Sequence, residues 1–456
     1  MDTSVSEQPQ PNFSSLLPTL PATIPPTSRL NFLRNWWQQS ERTASIAEAR
    51  LLHRIPLYGA KTPLIARVTR VPLDDRSKDL GEKGARLINT LHLRANDKDD
   101  QFDLNTEVDM KTFSQGVKRD GTKNLVLCHG YGAGLGFFYR NFQSLGQIPN
   151  SQLFAIDFLG MGRSSRPKWT INPKRNQTWD EVIDDVEEHF VESLEDWRKQ
   201  VGLDKMTLMG HSLGGYFATC YALKYPKRVE KLVLISPAGI AQAPPEQQEP
   251  SADKNATPQE VIDKDAAQLN AKVQAGQAET LDDAATQNDN DNDSDDSEPP
   301  QPRRRLPGWA KYLWDKNVTP MSIVRTIGPF GASLVNTYTS RRFAHLDTPE
   351  RYDLYDYIYN ITASHGSGEY ALAAVLKPGA FARRPLFNRL AELQMPTLFI
   401  YGEWDWMDYK AAEKAKVNMA VPVDILRVKY GGHHMYLDNP DDFNEMLTKE
   451  LENREN

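Results

Sequence analysis

The chain has 456 residues, of which 39% are hydrophobic and 25% are charged, and its formal net charge is −7. This composition is that of a globular core diluted by polar segments, and the lack of a basic excess argues against a nucleic-acid-binding protein. No apolar run reaches about 18 residues, so the sequence offers no membrane-spanning helix. Its beginning is acidic and rich in Ser and Pro, so we expect no secretory signal, while a mitochondrial presequence stays open.

The N-terminal region divides into a tail and an amphipathic segment. Residues 1–27 have the Pro-rich composition of a disordered tail. Within residues 28–60, the adjacent Trp36 and Trp37 precede a helix predicted over 40–55. Tryptophans beside a short amphipathic helix favour contact with the surface of a membrane, with the rings at the headgroup level. The alternative is that the helix packs on the protein core. Its apolar face consists of Ile46, Ala49, Leu52 and Ile55.

Short apolar segments then alternate with helical patterns, which predicts an α/β fold with one eight-stranded, mostly parallel sheet. The core of this fold is expected over residues 61–240 and 391–456. The clearest helices are predicted over 179–200 and 216–225. The predicted strands cover residues 64–71, 87–93, 125–128, 153–157, 207–209, 232–236, 398–401 and 425–428.

Two segments interrupt this alternation. Residues 241–305 are rich in Gln, Asp, Asn and Pro and include an acidic run over 289–298, which predicts a disordered insert. Residues 306–390 return to a helical and aromatic pattern, which predicts a cap over the substrate edge of the sheet. The candidates for an acyl-chain groove in this cap are Trp309, Tyr312, Leu313, Trp314, Ile323, Ile327, Phe330 and Leu334.

The sequence Gly210-His211-Ser212-Leu213-Gly214 follows an apolar strand and precedes a helix. This is the Gly-x-Ser-x-Gly pattern of a nucleophile elbow, in which a sharp turn exposes the serine hydroxyl. Glycines two residues before and after the serine relieve the crowding of such a turn because they lack a Cβ. The alternative is a Gly-rich turn that buries an ordinary serine.

A serine nucleophile needs a base and an orienting acid, which in this order of elements follow it along the chain. Asp405 comes shortly after the seventh strand and is the first choice for the acid, with Asp408 as the alternative. His433 directly follows two glycines after the eighth strand and is the predicted base, with His434 as its competitor.

The oxyanion of an acyl-transfer reaction needs main-chain N–H donors, for which we predict Leu213 and Tyr131. Leu213 follows the nucleophile, and Tyr131 lies in the Gly-rich turn after the third strand. The histidines show no metal-ligand spacing, and no phosphate-binding Gly-rich loop is present, so we expect neither a metal nor another cofactor. Residues 157–164 resemble a dinucleotide loop but lack its third glycine, and we interpret them as a turn.

Together these motifs resemble the α/β-hydrolase superfamily. Within it, the chain is similar to the subfamily of the lipid-droplet lipase coactivator, the N-acyl phosphatidylethanolamine lysophospholipase and the fungal cardiolipin deacylase. The similarity extends over roughly residues 31–450, apart from the acidic insert. The stretches that carry it are residues 35–37, 129–138, 210–216, 327–331, 357–359, 367–369, 383–386 and 433–440.

The resemblance implies a serine hydrolase of the phospholipase or lysophospholipase type at a peripheral membrane surface. It also implies a second motif, His433-x-x-x-x-Asp438, which this subfamily associates with acyl transfer to lysophosphatidic acid. The coactivator branch lacks the nucleophile that Ser212 supplies here. Three hypotheses follow: a glycerophospholipid deacylase, an acyltransferase that uses acyl-CoA, and an adaptor that activates another lipase. The headgroup, the protein partners, and a mitochondrial, lipid-droplet or cytosolic-face location stay open.

Overall fold

A computed structural model describes most of the chain. The described residues are 20–55, 64–74, 84–95, 108–118, 121–171, 177–243, 314 and 316–452. Of the tail predicted over residues 1–27, residues 1–19 lie outside the described ranges. The acidic insert predicted over 241–305 lies outside them from position 244 onward.

Ten strands occur among the described residues. They are β1 Leu64–Pro72, β2 Leu87–Ala95, β3 Lys123–Cys128, β4 Ser151–Ile156, β5 Met206–His211, β6 Val229–Ile235, β7 Leu376–Lys377, β8 Phe381–Ala382, β9 Thr397–Gly402 and β10 Val423–Val428. Eight of them form one sheet in the order β1-β2-β4-β3-β5-β6-β9-β10, and β7 pairs with β8 separately. Strand β2 runs antiparallel to both β1 and β4, and the other neighbours in the large sheet are parallel.

The predicted sheet is therefore confirmed. All of its predicted strands are present, and the largest shift in a boundary is at the start of β6, observed at Val229 rather than 232. Strands β4 and β5 are buried along their whole length. Helices cover both faces of a parallel sheet, and this explains the continuous apolar runs in the sequence.

Helices lie before, between and after these strands. They are α1 Arg29–Gln38, α2 Glu41–Leu52, α3 Met110–Gly116, α4 Phe142–Gly146, α5 Trp179–Val201, α6 Leu213–Lys224, α7 Pro320–Thr326, α8 Pro329–Arg342, α9 Thr348–Ala363, α10 Leu372–Val375, α11 Tyr409–Lys416, α12 Met435–Asp438 and α13 Pro440–Glu452. Helix α5 has clear end signals: Thr178 and Glu181 form a capping box, and Gly202 ends the helix in a left-handed conformation.

The core has two halves, one on each face of the sheet. Because side chains alternate along a strand, Val126 of β3 joins the half that contains α5 and α6. Its neighbours Leu125 and Leu127 join the other half, together with residues of α2, α9 and α13. Helices α7 to α9 follow β6 in the chain and precede β9, so they are inserted between two strands that pair in the sheet.

Helices α1 and α2 have opposite surroundings although they are neighbours in the chain. In α2, Ala47, Leu51 and Leu52 are fully buried in the core. Arg50 pairs with Asp356 of α9 at 2.7 Å. The structure thus supports the alternative of core packing for α2. The exposed apolar surface of the segment belongs instead to α1, which includes both tryptophans.

None of the helices in the described ranges has the length and apolarity that crossing a bilayer requires.

Candidate active site

Ser212 lies at the tight junction between β5 and α6. Its backbone has a φ of 53° and a ψ of −119°, a conformation that L-residues rarely adopt. A Cβ added to Gly210 would lie 2.5 Å from the carbonyl oxygen of Gly214, and one added to Gly214 would lie 2.3 Å from that of His129. Both glycines are therefore required by the close approach of the main chain, and the strained turn holds the serine away from its own helix.

His433 lies on the loop after β10 and reaches this serine. Its Nε2 atom is 3.0 Å from Ser212 Oγ, although the two residues are 221 positions apart in the chain. His434 points elsewhere, with its Nδ1 atom 3.3 Å from a guanidinium nitrogen of Arg342. Of the two competing histidines, the structure brings His433 to the serine.

Asp405 completes a line of contacts on the other side of the imidazole. Its Oδ1 atom lies 3.2 Å from His433 Nδ1 and also accepts the N–H of Met407 at 3.1 Å. The carboxylate is 2% exposed. Asp408 is exposed and caps α11 by accepting the N–H of Lys410 at 2.9 Å. The geometry therefore favours Asp405 for the acid.

Sequence reasoning missed a fourth polar residue, Ser236, which directly follows β6. Its hydroxyl oxygen is 2.9 Å from His433 Nδ1, and its O–H donates to Asp405 Oδ2. The sequence did place Ser236 at the end of a strand beside the nucleophile strand, and this position was the only signal available.

The loop after β3, residues 129–134, runs against the serine. A Cβ added to Gly130 would lie 3.0 Å from Ser212 Cβ, so the main chain of this loop passes directly beside the hydroxyl-bearing carbon. Tyr131 follows at once in the loop. Leu213 is the first residue of α6, and an N–H in that position has no acceptor within its own helix. The roles of Tyr131 and Leu213 as oxyanion donors remain predictions that this placement supports.

Buried side chains fix the same loop. Asp157, which is fully buried, accepts the N–H of Leu135 at 2.6 Å and that of Arg163 at 2.7 Å. The second contact closes residues 157–164 into a turn, which agrees with our interpretation of that segment. His129 accepts the N–H of Phe158 at 3.1 Å. The β3 loop is therefore held by the residues that directly follow β4, the strand next to β3.

His211 supports the loop that carries the base. Its Nε2–H donates to the carbonyl oxygen of His433 at 2.9 Å. Burial lowers the pKa of His211 well below its usual value, so this imidazole stays neutral. It acts on the main chain of His433 and leaves the ring of His433 free for Ser212 and Asp405.

Asp438, the second residue of the His433-x-x-x-x-Asp438 motif, contacts residues other than the His433 side chain. Its carboxylate forms a two-point contact with Arg342 of α8, at 2.8 and 2.9 Å. Its Oδ2 atom also accepts the N–H of Gly432 at 3.0 Å. The aspartate thus connects the inserted helices to the backbone of the His433 loop.

The predicted acyl-groove residues are scattered. Trp309, Tyr312 and Leu313 lie outside the described residues. Trp314 donates its indole N–H to the Leu376 carbonyl at 3.2 Å, and Ile323 is half-buried. Ile327, Phe330 and Leu334 lie on the surface, where their side chains are 39%, 76% and 46% exposed. A different cap residue, Met321, approaches the site, because a Cβ on Gly132 would lie 3.0 Å from its terminal methyl.

Within the described ranges, no three His, Cys, Asp or Glu side chains are grouped so that they could hold one metal ion. The arrangement of Ser212, His433 and Asp405 can support proton transfer and nucleophilic attack by side chains.

Comparisons with known proteins agree with this geometry. Residues 123–440 match the family described as alpha/beta hydrolase fold. A 1-acylglycerol-3-phosphate O-acyltransferase from Arabidopsis thaliana is 36% identical over 335 residues, which cover 72% of this chain and 66% of that protein, slightly less than two thirds. A (lyso)-N-acylphosphatidylethanolamine lipase from Homo sapiens is 30% identical over 331 residues, which cover 71% of this chain and 77% of that protein.

Proposed function

This chain belongs to the α/β hydrolase fold family, and from that premise we propose that it is a carboxylic ester hydrolase that deacylates glycerophospholipids or lysophospholipids. The observation that carries the proposal is the line of contacts from Ser212 through His433 to Asp405, at 3.0 and 3.2 Å. A serine hydroxyl becomes an effective nucleophile when an oriented imidazole takes its proton, and these three side chains have the required order and reach.

In the proposed reaction, Ser212 Oγ attacks the ester carbonyl carbon while His433 Nε2 takes the hydroxyl proton. Asp405 accepts the Nδ1–H of the resulting imidazolium and stabilises its charge. The N–H groups of Tyr131 and Leu213 bind the carbonyl oxygen as it gains negative charge. His433 then gives its proton to the departing alkoxide of the lysolipid. Water, activated by the same imidazole, hydrolyses the acyl-enzyme and releases the fatty acid.

Two observations support a lipid as the acyl donor. The human relative carries the name of a lipase for N-acylated phosphatidylethanolamine. In addition, α1 and α8 present apolar side chains to solvent in two stripes with helical spacing, at positions 30, 33 and 37 and at positions 330, 334 and 338. Single exposed apolar residues are ordinary, but stripes on packed helices are typical of a contact surface.

We therefore also propose that α1 and α8 meet the membrane, through a surface that we call the apolar patch. Trp37 and Phe330 are its most exposed members, at 79% and 76%. The two helices touch, since a Cβ on Gly328 would lie 3.8 Å from the Trp36 ring. The full set is Leu30, Leu33, Trp36, Trp37, Ile327, Phe330, Leu334 and Tyr338.

The charges of the two helices favour an anionic lipid surface. Helix α1 contains Arg29 and Arg34, and α8 carries the exposed Arg341 next to Arg342, whose charge is already paired with Asp438. Neither helix contains an acidic residue, although the whole chain has a net charge of −7. Arginines beside exposed aromatic rings bind the interface between anionic headgroups and acyl chains.

Acyl transfer to lysophosphatidic acid is a second candidate, favoured by the name of the plant relative. The acyl group of acyl-CoA would pass to Ser212 with release of the CoA thiol, and the hydroxyl of the lysolipid would take the place of water. Because Asp438 contacts Arg342 and Gly432, we assign it a role in holding the His433 loop. Transfer would therefore use the same serine and histidine as hydrolysis.

The test is a lipid panel. Purified protein is incubated with vesicles that contain cardiolipin, N-acyl phosphatidylethanolamine, phosphatidylcholine or lysophosphatidylcholine, and released fatty acid is measured. We expect release from at least one of these lipids, and a fall of about a thousandfold or more for Ser212→Ala, because the acyl-enzyme cannot form.

A parallel assay with labelled acyl-CoA and lysophosphatidic acid separates the hypotheses. Label that appears in phosphatidic acid without fatty acid release would replace the hydrolase proposal with the transferase. Neither product, from folded protein that still binds vesicles, would contradict both enzyme proposals and favour the adaptor.

A further inference from the structure

Ser236 occupies a strained and fully buried position at the edge of the sheet. It follows β6 with a φ of 44°, in the left-handed region that few non-glycine residues occupy. Its exposed fraction is 0%, and its N–H donates to the Ile400 carbonyl of β9 at 2.7 Å. A buried side chain in an unfavourable backbone conformation persists only when its surroundings hold it there.

The hydroxyl of Ser236 lies between the acid and the base of the site. Its O–H donates to Asp405 Oδ2, so its oxygen is free to accept the Nδ1–H of His433 at 2.9 Å. The direct contact from His433 Nδ1 to Asp405 Oδ1 is longer, at 3.2 Å. One imidazole proton is therefore shared between the carboxylate and a hydroxyl that is itself bound to that carboxylate.

The hydrogen bonds of the Ser236 hydroxyl differ from those of an ordinary buried serine. Asp405 Oδ1 already accepts from Met407, and Oδ2 accepts from Ser236. A serine that only satisfied itself in the core would bond to a nearby main-chain carbonyl. Ser193 of α5 does this, with its hydroxyl 2.9 Å from the Phe190 carbonyl. Ser236 instead has both of its side-chain contacts within the site.

We propose that Ser236 is a positioning residue for the reaction: its hydroxyl orients the His433 ring and accepts part of the positive charge when His433 takes the proton of Ser212. This inference rests on the proposed function. Without the hydroxyl, the Nδ1–H retains only the longer contact, and one oxygen of a buried carboxylate loses its donor. An unpaired buried polar atom disfavours the arrangement that creates it.

Ser236→Ala is the test variant, and Ser236→Gly is a second one because glycine accepts the positive φ without strain. With a short soluble ester as substrate, we expect kcat to fall roughly 10- to 100-fold in both variants with little change in KM. In an Asp405→Asn background the same change should cost much less, because the two residues act through one imidazole.

Ser193→Ala is the matched control, since it also removes a fully buried serine hydroxyl but one outside the site. It should retain wild-type kcat. The far-downfield proton resonance of His433 Nδ1–H, assigned by its loss in His433→Gln, provides a readout independent of turnover. It should shift in Ser236→Ala and stay in place in Ser193→Ala.

A kcat within about twofold of wild type in both Ser236 variants would overturn the proposal, because the expected loss is at least tenfold. So would an unchanged Nδ1–H resonance. A wild-type protein with no esterase activity would contradict the proposed function instead, and the resonance would then decide on the contact of Ser236 by itself.

Discussion

The edge of the sheet and the helices that surround it differ in how they hold their polar and apolar groups. At the sheet edge, Asp405 and Ser236 are buried; Ser236 directly follows β6, and Asp405 lies on the loop after β9 ends at Gly402. On α1 and α8, Trp37 and Phe330 are more than three quarters exposed, at 79% and 76%. The comparison suggests that one region provides the chemistry and the other provides access to lipid, so variants in the two regions should fail in different assays.

The two regions meet at a few contacts. Arg342 of α8 binds Asp438, which holds the N–H of Gly432 next to the base, and Met321 of α7 lies against Gly132 of the β3 loop. Variants at these contacts should therefore be the ones whose effects are not confined to either the catalytic assay or the membrane assay.

The largest expected effect lies within the sheet edge, between its two candidate acids. Asp405→Asn should lower kcat by roughly 10³- to 10⁴-fold on both soluble and vesicle substrates, because the amide no longer holds the reactive tautomer of His433. Asp408→Asn should retain activity close to wild type, since Asp408 is exposed and caps α11. Steady-state kinetics on both substrates measure the difference. The opposite ranking of the two variants would mean that the acid has been misassigned.

A smaller effect is expected where the two regions meet. Arg342→Gln removes the two-point contact with Asp438, so the Gly432 backbone is less firmly held beside His433. We expect kcat to fall about tenfold on soluble ester and on vesicles alike, since a small displacement of a base is costly. Arg341→Gln is the control in the soluble-ester assay, where a membrane-facing charge plays no part, because Arg341 is the exposed neighbour of Arg342 on the same helix. A loss confined to vesicles would show that this contact concerns access alone.

The apolar patch should affect only the vesicle assay. Trp37→Ala combined with Phe330→Ala removes two large exposed side chains, and binding to anionic vesicles should weaken on the order of tenfold or more. Turnover of a soluble ester should not change. Flotation with vesicles measures the binding, and Val417→Ala, at another exposed apolar residue, is the control. Unchanged flotation of the double variant would show that the apolar patch does not bind the membrane.

The smallest effect concerns the stability of the fold at acidic pH. It should come from a buried histidine on α5, a helix that packs on the sheet. His189 of α5 packs its ring against Trp169 and Phe190, and burial lowers its pKa to about 4. As the pH falls from 6.5 toward 4, the unfolded chain binds a proton that the folded chain does not. The free energy of unfolding should therefore fall by about 1 kcal/mol per pH unit from this group, and it should be unaffected above pH 6.5.

Urea unfolding of wild type and His189→Phe at several pH values measures this slope. The variant should lose less stability on acidification. Equal slopes for the two proteins would mean that burial does not lower the pKa of His189, so that it takes up a proton over the same pH range in the folded and the unfolded chain.

The sheet and the three residues that contact one another in the site could be predicted from the sequence because each has a local signature. Strands buried on both faces are continuous apolar runs, and Ser212, Asp405 and His433 each follow a predicted strand in the order typical of this fold. Local patterns of this kind can be recognised in a sequence even when the residues that will contact each other in the fold are unknown.

The remaining features depend on partners far away in the chain. Ser236 has no distinguishing neighbours, and its contacts with Asp405 and His433 span 169 and 197 positions. The contact of Asp438 with Arg342 spans 96 positions. For α2, helical spacing identified an apolar face but could not tell whether a membrane or the protein core covers it.

The central claim, that Ser212 is a nucleophile activated by His433, is tested most directly by covalent labelling. A fluorophosphonate probe reacts with activated serines, and mass spectrometry of the digested protein locates the modified residue. We expect one modification, at Ser212, which is lost in Ser212→Ala and strongly slowed in His433→Gln. Folded protein that leaves Ser212 unmodified, or that reacts equally fast without His433, would contradict it.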